Sequence, residues 1–311
     1  MKKETINIFI PATVSNVACG FDIMGFPLDN PGDKMSFLMI PEKEVRITSI
    51  TGADDIPTDP EKNVAGIVAE KMLKAAGFPF GVEITIHKGI SPGSGIGSSG
   101  ASSAGAAYGI NRLTGDRWPV RELISFAMEG ERYASGTAHA DNVAPALYGG
   151  FVLIRSYDPM DIVSIQPPEE LYATVIHPMI EVKTAYSRGI MKKNVTLHDA
   201  VTQWGNVAGL VAGLLMKDYD LIGRSMVDVI AEPVRAMLIP GFDDLKQAAM
   251  NAGALGCSIS GSGPSVFALS RGQKTAEKVA EAFSETYAPM GIEFEVYVSG
   301  ISLSGICETD S

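Results

Sequence analysis

Apolar side chains alternate with other residues in several short stretches of the chain. Isoleucines recur at every second position from Ile6 to Ile10, which predicts a strand that ends at Pro11 and precedes a long loop over residues 12–33. The same alternation over residues 82–87 predicts a half-buried strand of the kind typical of antiparallel sheets. Further strands are predicted at residues 45–50, 150–157, 171–177, 265–269 and 292–298.

Apolar residues three or four positions apart predict helices in the intervening segments. Asn63 stands where an N-cap is expected, and Gly77 stands where that helix would end. A stretch with three prolines at residues 158–170 is the predicted linker, so we expect an α+β protein with domains at residues 1–160 and 161–311. The other predicted helices span residues 101–113, 119–131, 197–216, 221–229, 243–251 and 273–287.

Composition narrows the classes of partner. The chain has 311 residues, more than one typical domain of about 100 to 200 residues, and its 46% hydrophobic content is enough to build two cores. Its formal net charge of −11 gives no basic field that would hold nucleic acid or an anionic membrane surface. An anionic ligand must therefore be bound by local donors such as backbone N–H groups, a few cationic side chains or a metal ion.

Cellular location follows from the cysteines and the apolar stretches. Cys19, Cys257 and Cys307 are far apart and lack the spacing of a zinc site or a disulfide framework, which fits a reducing cytoplasm. The N-terminus lacks the apolar core of a signal peptide, and the longest apolar stretch, residues 207–216, is too short to cross a bilayer. We expect a cytoplasmic protein with no membrane partner.

A glycine-rich segment follows the predicted strand at residues 82–87 and leads into a helix. Glycines allow backbone N–H groups to approach phosphate oxygens closely, and a helix N-terminus adds a partial positive charge. The segment therefore predicts a phosphate cradle rather than a flexible linker. Its residues are Ser91, Pro92, Gly93, Ser94, Gly95, Ile96, Gly97, Ser98, Ser99, Gly100 and Ala101.

Two other phosphate-binding motifs fit this segment less well. Residues 95–100 match the GxGxxG pattern of dinucleotide-binding folds, but the acid at the required spacing, Asp116, falls in a predicted turn between helices rather than at the end of a strand. A Walker A loop would need Lys followed by Ser or Thr, whereas Ala101 follows the last glycine. Neither motif accounts for the segment.

Three segments in this order, residues 11–25, 91–101 and 260–265, resemble the motifs of the GHMP kinases. That family is named for galactokinase and the homoserine, mevalonate and phosphomevalonate kinases. The resemblance spans nearly the whole chain. It implies an N-terminal α/β domain with a left-handed crossover, joined to a C-terminal ferredoxin-like domain, and it implies ATP as the phosphoryl donor with Mg²⁺.

Residues 21–22, 139–145 and 232–241 resemble more specifically the homoserine-phosphorylating members of that family. The resemblance implies that Ser99 and Glu131 hold Mg²⁺, that Asn63 and Lys88 lie near the nucleoside, and that Asn142 contacts the acceptor hydroxyl. Asp141 aligns with an aspartate that some relatives use as a base, whereas the resemblance implies that the homoserine-phosphorylating members manage without a strong base. The residues implied for the amino-acid site, with the acid on the amino group and the arginines on the carboxylate, are Asn16, Asp22, His139, Thr184, Arg188 and Arg235.

Several alternatives remain open at this point. Glu129 competes with Glu131 for the metal role, because both are acids near the end of the same predicted helix. Another acceptor such as mevalonate would need no partner for an amino group, and a nonenzymatic nucleotide-binding module could use the same fold. Release of ADP with homoserine present separates these hypotheses. The sequence also leaves open whether the chain forms a homodimer.

Overall fold

The computed structural model of the chain describes residues 4–180, 182 and 184–309. Most of the first half forms a mixed sheet. Its strands are β1 (Thr5–Ser15), β2 (Met24–Ile40), β3 (Val45–Thr51), β4 (Gly81–His87), β5 (Phe151–Tyr157) and β6 (Met160–Ile165). Strands β2 and β4 pair antiparallel, whereas β3 and β4 pair parallel around an intervening helix.

Helices cover one side of this sheet. They are α1 (Val64–Ala75), α2 (Ser98–Leu113), α3 (Val120–Ser135) and α4 (Val143–Tyr148), with a 3-10 turn at Pro60–Lys62 before α1. The small residues of α2 allow close packing on β2, since a Cβ at Gly105 would lie 2.7 Å from the Met35 sulfur and one at Gly109 would lie 2.4 Å from the Phe37 ring. The first residues of α2 are the end of the glycine-rich segment, so this packing also fixes the position of that segment.

The second half forms an antiparallel sheet of four strands, β7 (Leu171–Pro178), β8 (Gly256–Ile259), β9 (Val266–Arg271) and β10 (Phe294–Gly300). Their spatial order is β10-β7-β9-β8. With helices between β7 and β8 and between β9 and β10, this is the ferredoxin-like arrangement that the family resemblance implies. The helices are α5 (Thr184–Gly189), α6 (Leu197–Met216), α7 (Tyr219–Ser225), α8 (Glu232–Arg235), α9 (Phe242–Asn251) and α10 (Gln273–Tyr287), with 3-10 turns at Ala236–Leu238 and Ala288–Met290.

The chain then returns to the first sheet. A short strand, β11 (Cys307–Glu308), pairs with β1, and Ile301 forms a bridge with Leu28. The first sheet thus contains seven strands, in the order β11-β1-β2-β4-β3, with β5 on β2 and β6 on β5.

Two expectations about local structure are wrong. The strand predicted to end at Pro11 continues to Ser15, and most of the predicted loop over residues 12–33 is strand, leaving a short connection between β1 and β2. A register irregularity between Pro11 and Thr13 accommodates the proline inside the pairing. The predicted linker at residues 158–170 contains β6, which forms a hairpin with β5. The division at residues 160 and 161 stays a prediction.

Candidate active site

A cavity of about 370 Å³ lies where the glycine-rich loop, the end of α3 and the residue 260–265 loop meet. Every residue predicted for the site outside the glycine-rich loop lines it, so residues far apart in the sequence come together as expected. Within the loop, residues 92, 93, 95 and 97–99 also line the cavity. The predicted loop residues that do not line it are Ser91, Ser94, Ile96, Gly100 and Ala101.

The glycines of the loop are required by its backbone. Gly93, Gly95 and Gly97 have φ angles of 73°, 84° and 79°, the left-handed region that favours glycine. A Cβ at Gly97 would lie 2.1 Å from the Thr13 hydroxyl, so there is also no space for a side chain. Gly97 caps α2 without a side-chain hydrogen bond, which leaves the first N–H groups of this helix for an anionic ligand.

Carbonyl groups of the loop are turned toward the protein. The Ser94 carbonyl accepts hydrogen bonds from the Ser265 hydroxyl at 2.6 Å and its N–H at 3.2 Å, and the Gly95 carbonyl accepts one from the Ser260 hydroxyl at 2.8 Å. The Ile96 carbonyl accepts one from Thr13 N–H at 3.0 Å. Because C=O and N–H point in opposite directions in a trans peptide, the N–H groups of these planes point away from those partners.

A buried ion pair joins the two ends of the loop. Lys88 and Asp33, both almost fully buried, form a salt bridge. The Lys88 ammonium also donates to the Ser98 carbonyl at 3.0 Å and the Ser102 hydroxyl at 3.1 Å, at the start of α2. Asp33 accepts from the N–H groups of residues 89 and 90 at 3.0 Å. Lys88 was expected near the nucleoside; it lines the cavity, and its ammonium bonds to these groups at the start of α2.

Two buried carboxyl groups face the cavity. Burial raises the pKa of Glu131 to about 7, even though a hydrogen bond from the Ser99 hydroxyl acts to lower it. Burial, together with the charge of Asp22, also raises the pKa of Asp141 to about 7. Glu129 lies outside the cavity, where it forms salt bridges of 2.8 Å with both Lys71 and Arg132. Of the two competing acids, only Glu131 faces the glycine-rich loop.

Asp22 and Arg188 pair with each other at the opposite end of the cavity. The two side chains form a bidentate salt bridge with N–O distances of 2.7 and 3.0 Å. Asp22 has a φ of 60°, and its N–H donates to the Asn16 side-chain oxygen at 2.7 Å. Both the Arg188 and the Arg235 guanidinium lie over the Phe21 ring, at 5.6 and 4.8 Å from its centroid.

Three buried nitrogen atoms at this end have no hydrogen-bond partner among the described residues: His139 Nε2, Arg188 Nε and Arg235 Nε. Burial lowers the pKa of His139, so its imidazole is kept neutral, and Nδ1 lies 3.7 Å from the Asp22 carboxylate. Arg235 is buried and donates to the Gly261 carbonyl at 2.9 Å. The two arginine Nε–H groups are donors, and unpaired buried donors at one cavity indicate a ligand with acceptor oxygens.

Asn142, Thr184 and Asn63 each have a fixed orientation. The Asn142 side-chain oxygen accepts from the Thr13 hydroxyl at 2.8 Å, and the Thr184 hydroxyl lies 3.2 Å from that of Ser262. Asn63 caps α1, as predicted, by accepting from the residue 65 N–H at 2.9 Å, and it donates to the carbonyl of residue 57. Both ends of the Asn63 amide therefore bond to backbone at the edge of the cavity.

Sequence reasoning missed several residues of the site. Asp33 lies in a stretch predicted as loop, and Tyr157, whose hydroxyl donates to the Asp22 carbonyl at 2.7 Å, lies outside every motif. Ile56, Pro57 and Tyr133 line the cavity near Asn63. The sequence around each of these five residues gives no sign that it belongs to the site, because its place there depends on contacts between distant segments.

Two kinds of feature were sought among the described residues: clusters of metal-ligating side chains and membrane-spanning helices. Within residues 4–180, 182 and 184–309, no group of three or more His, Cys, Asp or Glu side chains could together hold a metal ion. No described helix is both long and apolar enough to span a bilayer.

Comparison with known proteins identifies relatives of the whole chain. The family model for the GHMP kinases N terminal domain matches residues 63–150, and that for the GHMP kinases C terminal matches residues 210–289. A homoserine kinase from Chlorobaculum tepidum is 47% identical, covering 97% of each chain. The crystal structure of homoserine kinase from Cytophaga hutchinsonii is 54% identical, with a TM-score of 0.95, over 99% of this chain and 98% of that one.

A more distant structure shares the fold. L. major mevalonate kinase, solved in complex with R-mevalonate, has a TM-score of 0.73 over 97% of this chain and 99% of that one, at 16% identity. At this identity the likeness concerns the fold alone.

Proposed function

Because this chain belongs to the GHMP kinase family, we propose that its cavity binds ATP and L-homoserine side by side for direct phosphoryl transfer. The chain is an enzyme that phosphorylates the side-chain hydroxyl of L-homoserine with ATP, giving O-phospho-L-homoserine, a step toward threonine. The residues that perform each part of this reaction are proposed below from the geometry of the cavity.

The pairing of Asp22 with Arg188 carries the acceptor assignment. An amino-acid zwitterion has the same two charges as this pair, so homoserine can replace the internal salt bridge with its amino group on Asp22 and its carboxylate on Arg188. Arg235 Nε adds a buried donor without a partner among the described residues, which suits the same carboxylate. Asn16 and Thr184 would complete the amino-acid subsite.

ATP would lie along the glycine-rich loop. The triphosphate would accept hydrogen bonds from the N–H groups of the loop and of the first turn of α2, which are the groups that the geometry leaves for an anion. The base would pack against Ile56, Pro57 and Tyr133, with Asn63 at its edge. Lys88 would act on the triphosphate indirectly, since its ammonium already bonds to Asp33 and the start of α2.

Glu131 and Ser99 fit the chemistry of a Mg²⁺ site. Both offer oxygen ligands next to the phosphate loop, and a buried carboxyl group whose pKa is raised to about 7 gains most when a cation neutralises it. When bound, Mg²⁺ would neutralise phosphate charge on the ATP. Asp141 is a second buried acid at the same cavity.

Phosphoryl transfer would form a bond between the homoserine hydroxyl oxygen and the γ-phosphorus as the bond to the β,γ-bridging oxygen breaks. In a loose transition state, positioning and charge neutralisation supply most of the catalysis. Thr13 holds the amide oxygen of Asn142, so the Asn142 amide nitrogen is the group that would contact the acceptor hydroxyl. Asp141, whose pKa is about 7, can take the hydroxyl proton.

A coupled ADP-release assay tests the assignment with homoserine, its des-amino analogue and mevalonate as acceptors. We expect turnover with homoserine and poor turnover with both others, because Asp22 would lose its cationic partner. Arg235→Ala should raise the KM for homoserine at least about tenfold and leave the KM for ATP nearly unchanged. Efficient turnover of either acceptor without an amino group would refute the acceptor subsite.

Cytoplasmic location stays a proposal, supported by the reduced, unpaired cysteines and the absence of a spanning helix among the described residues. The net charge of −11 likewise supports the expectation of no nucleic-acid partner.

A further inference from the structure

Asp228 is a buried carboxylate in the segment that leads into α8. One of its oxygens accepts from the Gln203 amide at 2.9 Å and from the N–H groups of residues 230 and 231 at 2.8 and 3.0 Å. The other oxygen accepts from the residue 232 N–H at 2.8 Å. Ala231, the residue before α8, has no side chain that could cap it. Asp228 therefore caps this short helix from outside.

Arg235 is the last residue of α8, so its position depends on how the helix is held. The Ala231 N–H donates to Asp228, and the Ala231 carbonyl accepts from the Arg235 N–H at 3.0 Å. Burial and the charge of Arg188 lower the pKa of Arg235, whereas the negative charge of Asp228 acts in the opposite direction. Asp228 thus supports Arg235 through the backbone and through its charge.

Gln203, which is buried on α6, connects Asp228 to the segment that carries Asp22. Its amide nitrogen donates to Asp228 and to the Cys19 carbonyl, both at 2.9 Å. Its amide oxygen accepts from the residue 229 N–H at 3.0 Å. Cys19 lies three residues before Asp22, in the short connection between β1 and β2. One side chain therefore joins the two segments that lead to Asp22 and to Arg235.

The separation of Asp22 and Arg235 matters for an amino-acid substrate. The amino and carboxylate groups of homoserine are attached to the same carbon atom, so the acid and the arginines that bind them must be held at a fixed distance. Gln203 and Asp228 both lie outside the cavity, so they act through other residues. We propose that Gln203 and Asp228 are positioning residues that set Arg235 relative to Asp22, an inference that rests on the acceptor subsite proposed above.

Asn111 offers a matched control, because it is a buried amide of the same chemistry far from the site. It lies on α2, where its side chain bonds to both the N–H and the carbonyl of Trp118, at 2.9 and 3.0 Å, and it does not line the cavity. Loss of either amide leaves buried backbone groups unpaired, so a change at Asn111 or at Gln203 should lower stability. Only the change at Gln203 should alter the binding of homoserine.

Steady-state kinetics of the full chain test the proposal. Gln203→Met has a similar shape but lacks the three hydrogen bonds. It should raise the KM for homoserine about fivefold or more and leave the KM for ATP nearly unchanged, because a small displacement of a binding group is costly. Asn111→Leu should leave both KM values unchanged.

Two changes at Asp228 give a graded test. Asp228→Asn keeps an oxygen at the point where three of the four donors meet, whereas Asp228→Ala loses all four bonds. The KM for homoserine should therefore rise less in Asp228→Asn than in Asp228→Ala. Circular dichroism and urea unfolding check that each variant folds, and Gln203→Met and Asp228→Asn still decide the question if Asp228→Ala unfolds.

A double-variant cycle shows whether Asp228 acts through Arg235. Without the arginine there is nothing left to position, so Asp228→Asn combined with Arg235→Ala should have the same KM for homoserine as Arg235→Ala alone. Effects that multiply would refute this route.

The remaining outcomes separate this proposal from the acceptor subsite on which it rests. If Arg235→Ala raises the KM for homoserine but Gln203→Met and Asp228→Asn do not, the positioning role is wrong and the subsite stands. An equal rise of both KM values in Gln203→Met would also overturn the positioning role. No effect of Arg235→Ala itself would refute the subsite, and the proposal with it.

Discussion

Glu131→Gln is expected to stabilise the protein while it abolishes most of the activity. Glu131 is buried, and burial raises the pKa of its carboxyl group from 4.5 to about 7. The folded state therefore holds this carboxylate at a cost that an uncharged amide of the same shape avoids. Loss of the carboxylate proposed to hold Mg²⁺ beside Ser99 should at the same time lower turnover sharply and raise the Mg²⁺ requirement.

The size and pH dependence of the stabilisation follow from linkage. The folded pKa lies above the unfolded value, so the folded state binds the proton more tightly, and the free energy of unfolding falls as pH rises from 4.5 to about 7. A shift of this size corresponds to about 3 kcal/mol at about 1.4 kcal/mol per pKa unit. The variant should therefore gain little stability at about pH 4.5 and about 3 kcal/mol at about pH 8.

Urea unfolding at about pH 4.5 and about pH 8, without nucleotide or metal, measures this difference. Glu129→Gln is the matched control. A hydrogen bond from Lys71 lowers the pKa of Glu129, so its removal should give a small loss of stability at the higher pH rather than a gain. Equal stability of wild type and Glu131→Gln at both pH values would refute the argument from burial. Full activity of Glu131→Gln would refute its proposed role at the phosphates.

Three further predictions concern the two ends of the cavity. Gly97→Val should raise the Kd for ATP strongly in calorimetry, because a side chain there would collide with Thr13; unchanged affinity in a folded variant would exclude the loop as the phosphate site. Lys88→Met should raise the KM for ATP more than that for homoserine, because Lys88 hydrogen bonds to Ser98 and Ser102 and so holds the end of the glycine-rich loop in place. Equal effects on the two KM values would contradict that role. Tyr157→Phe should raise the KM for homoserine severalfold and leave that for ATP unchanged, because Tyr157 holds the backbone of Asp22; an effect on ATP alone would rule this out.

Periodicity predicted those elements whose faces differ in burial. The bounds of α6 and α10 are confirmed as residues 197–216 and 273–287, because long amphipathic or apolar segments leave little freedom of assignment. The N-cap at Asn63 is confirmed for a similarly local reason. The expected ferredoxin-like and GHMP kinase architectures are also confirmed, but these came from the family resemblance rather than from the pattern.

Local signals failed where tertiary pairing overrides them. Proline at position 11 is a strand breaker in isolation, yet the strand continues because a register irregularity accommodates it. Asp33 looks like a loop acid by composition, but it is fully buried inside β2 because Lys88 and two backbone N–H groups satisfy it. The strand that pairs with Pro11 and the groups that bond to Asp33 both lie elsewhere in the sequence, so the residues next to Pro11 and Asp33 do not reveal them.

The residue 260–265 loop shows the same limit at the level of a motif. Its serines hydrogen bond to the carbonyls of Ser94 and Gly95, and the Gly261 carbonyl accepts from both Asn16 and Arg235. The composition of a short serine-glycine turn does not show whether the turn contacts other parts of the protein. Only the topology of the chain brings residue 261 next to residue 16. The motif order predicted which segments meet, and the fold shows how: the residue 260–265 turn bonds both to the glycine-rich loop and to Arg235, the arginine proposed to bind the acceptor.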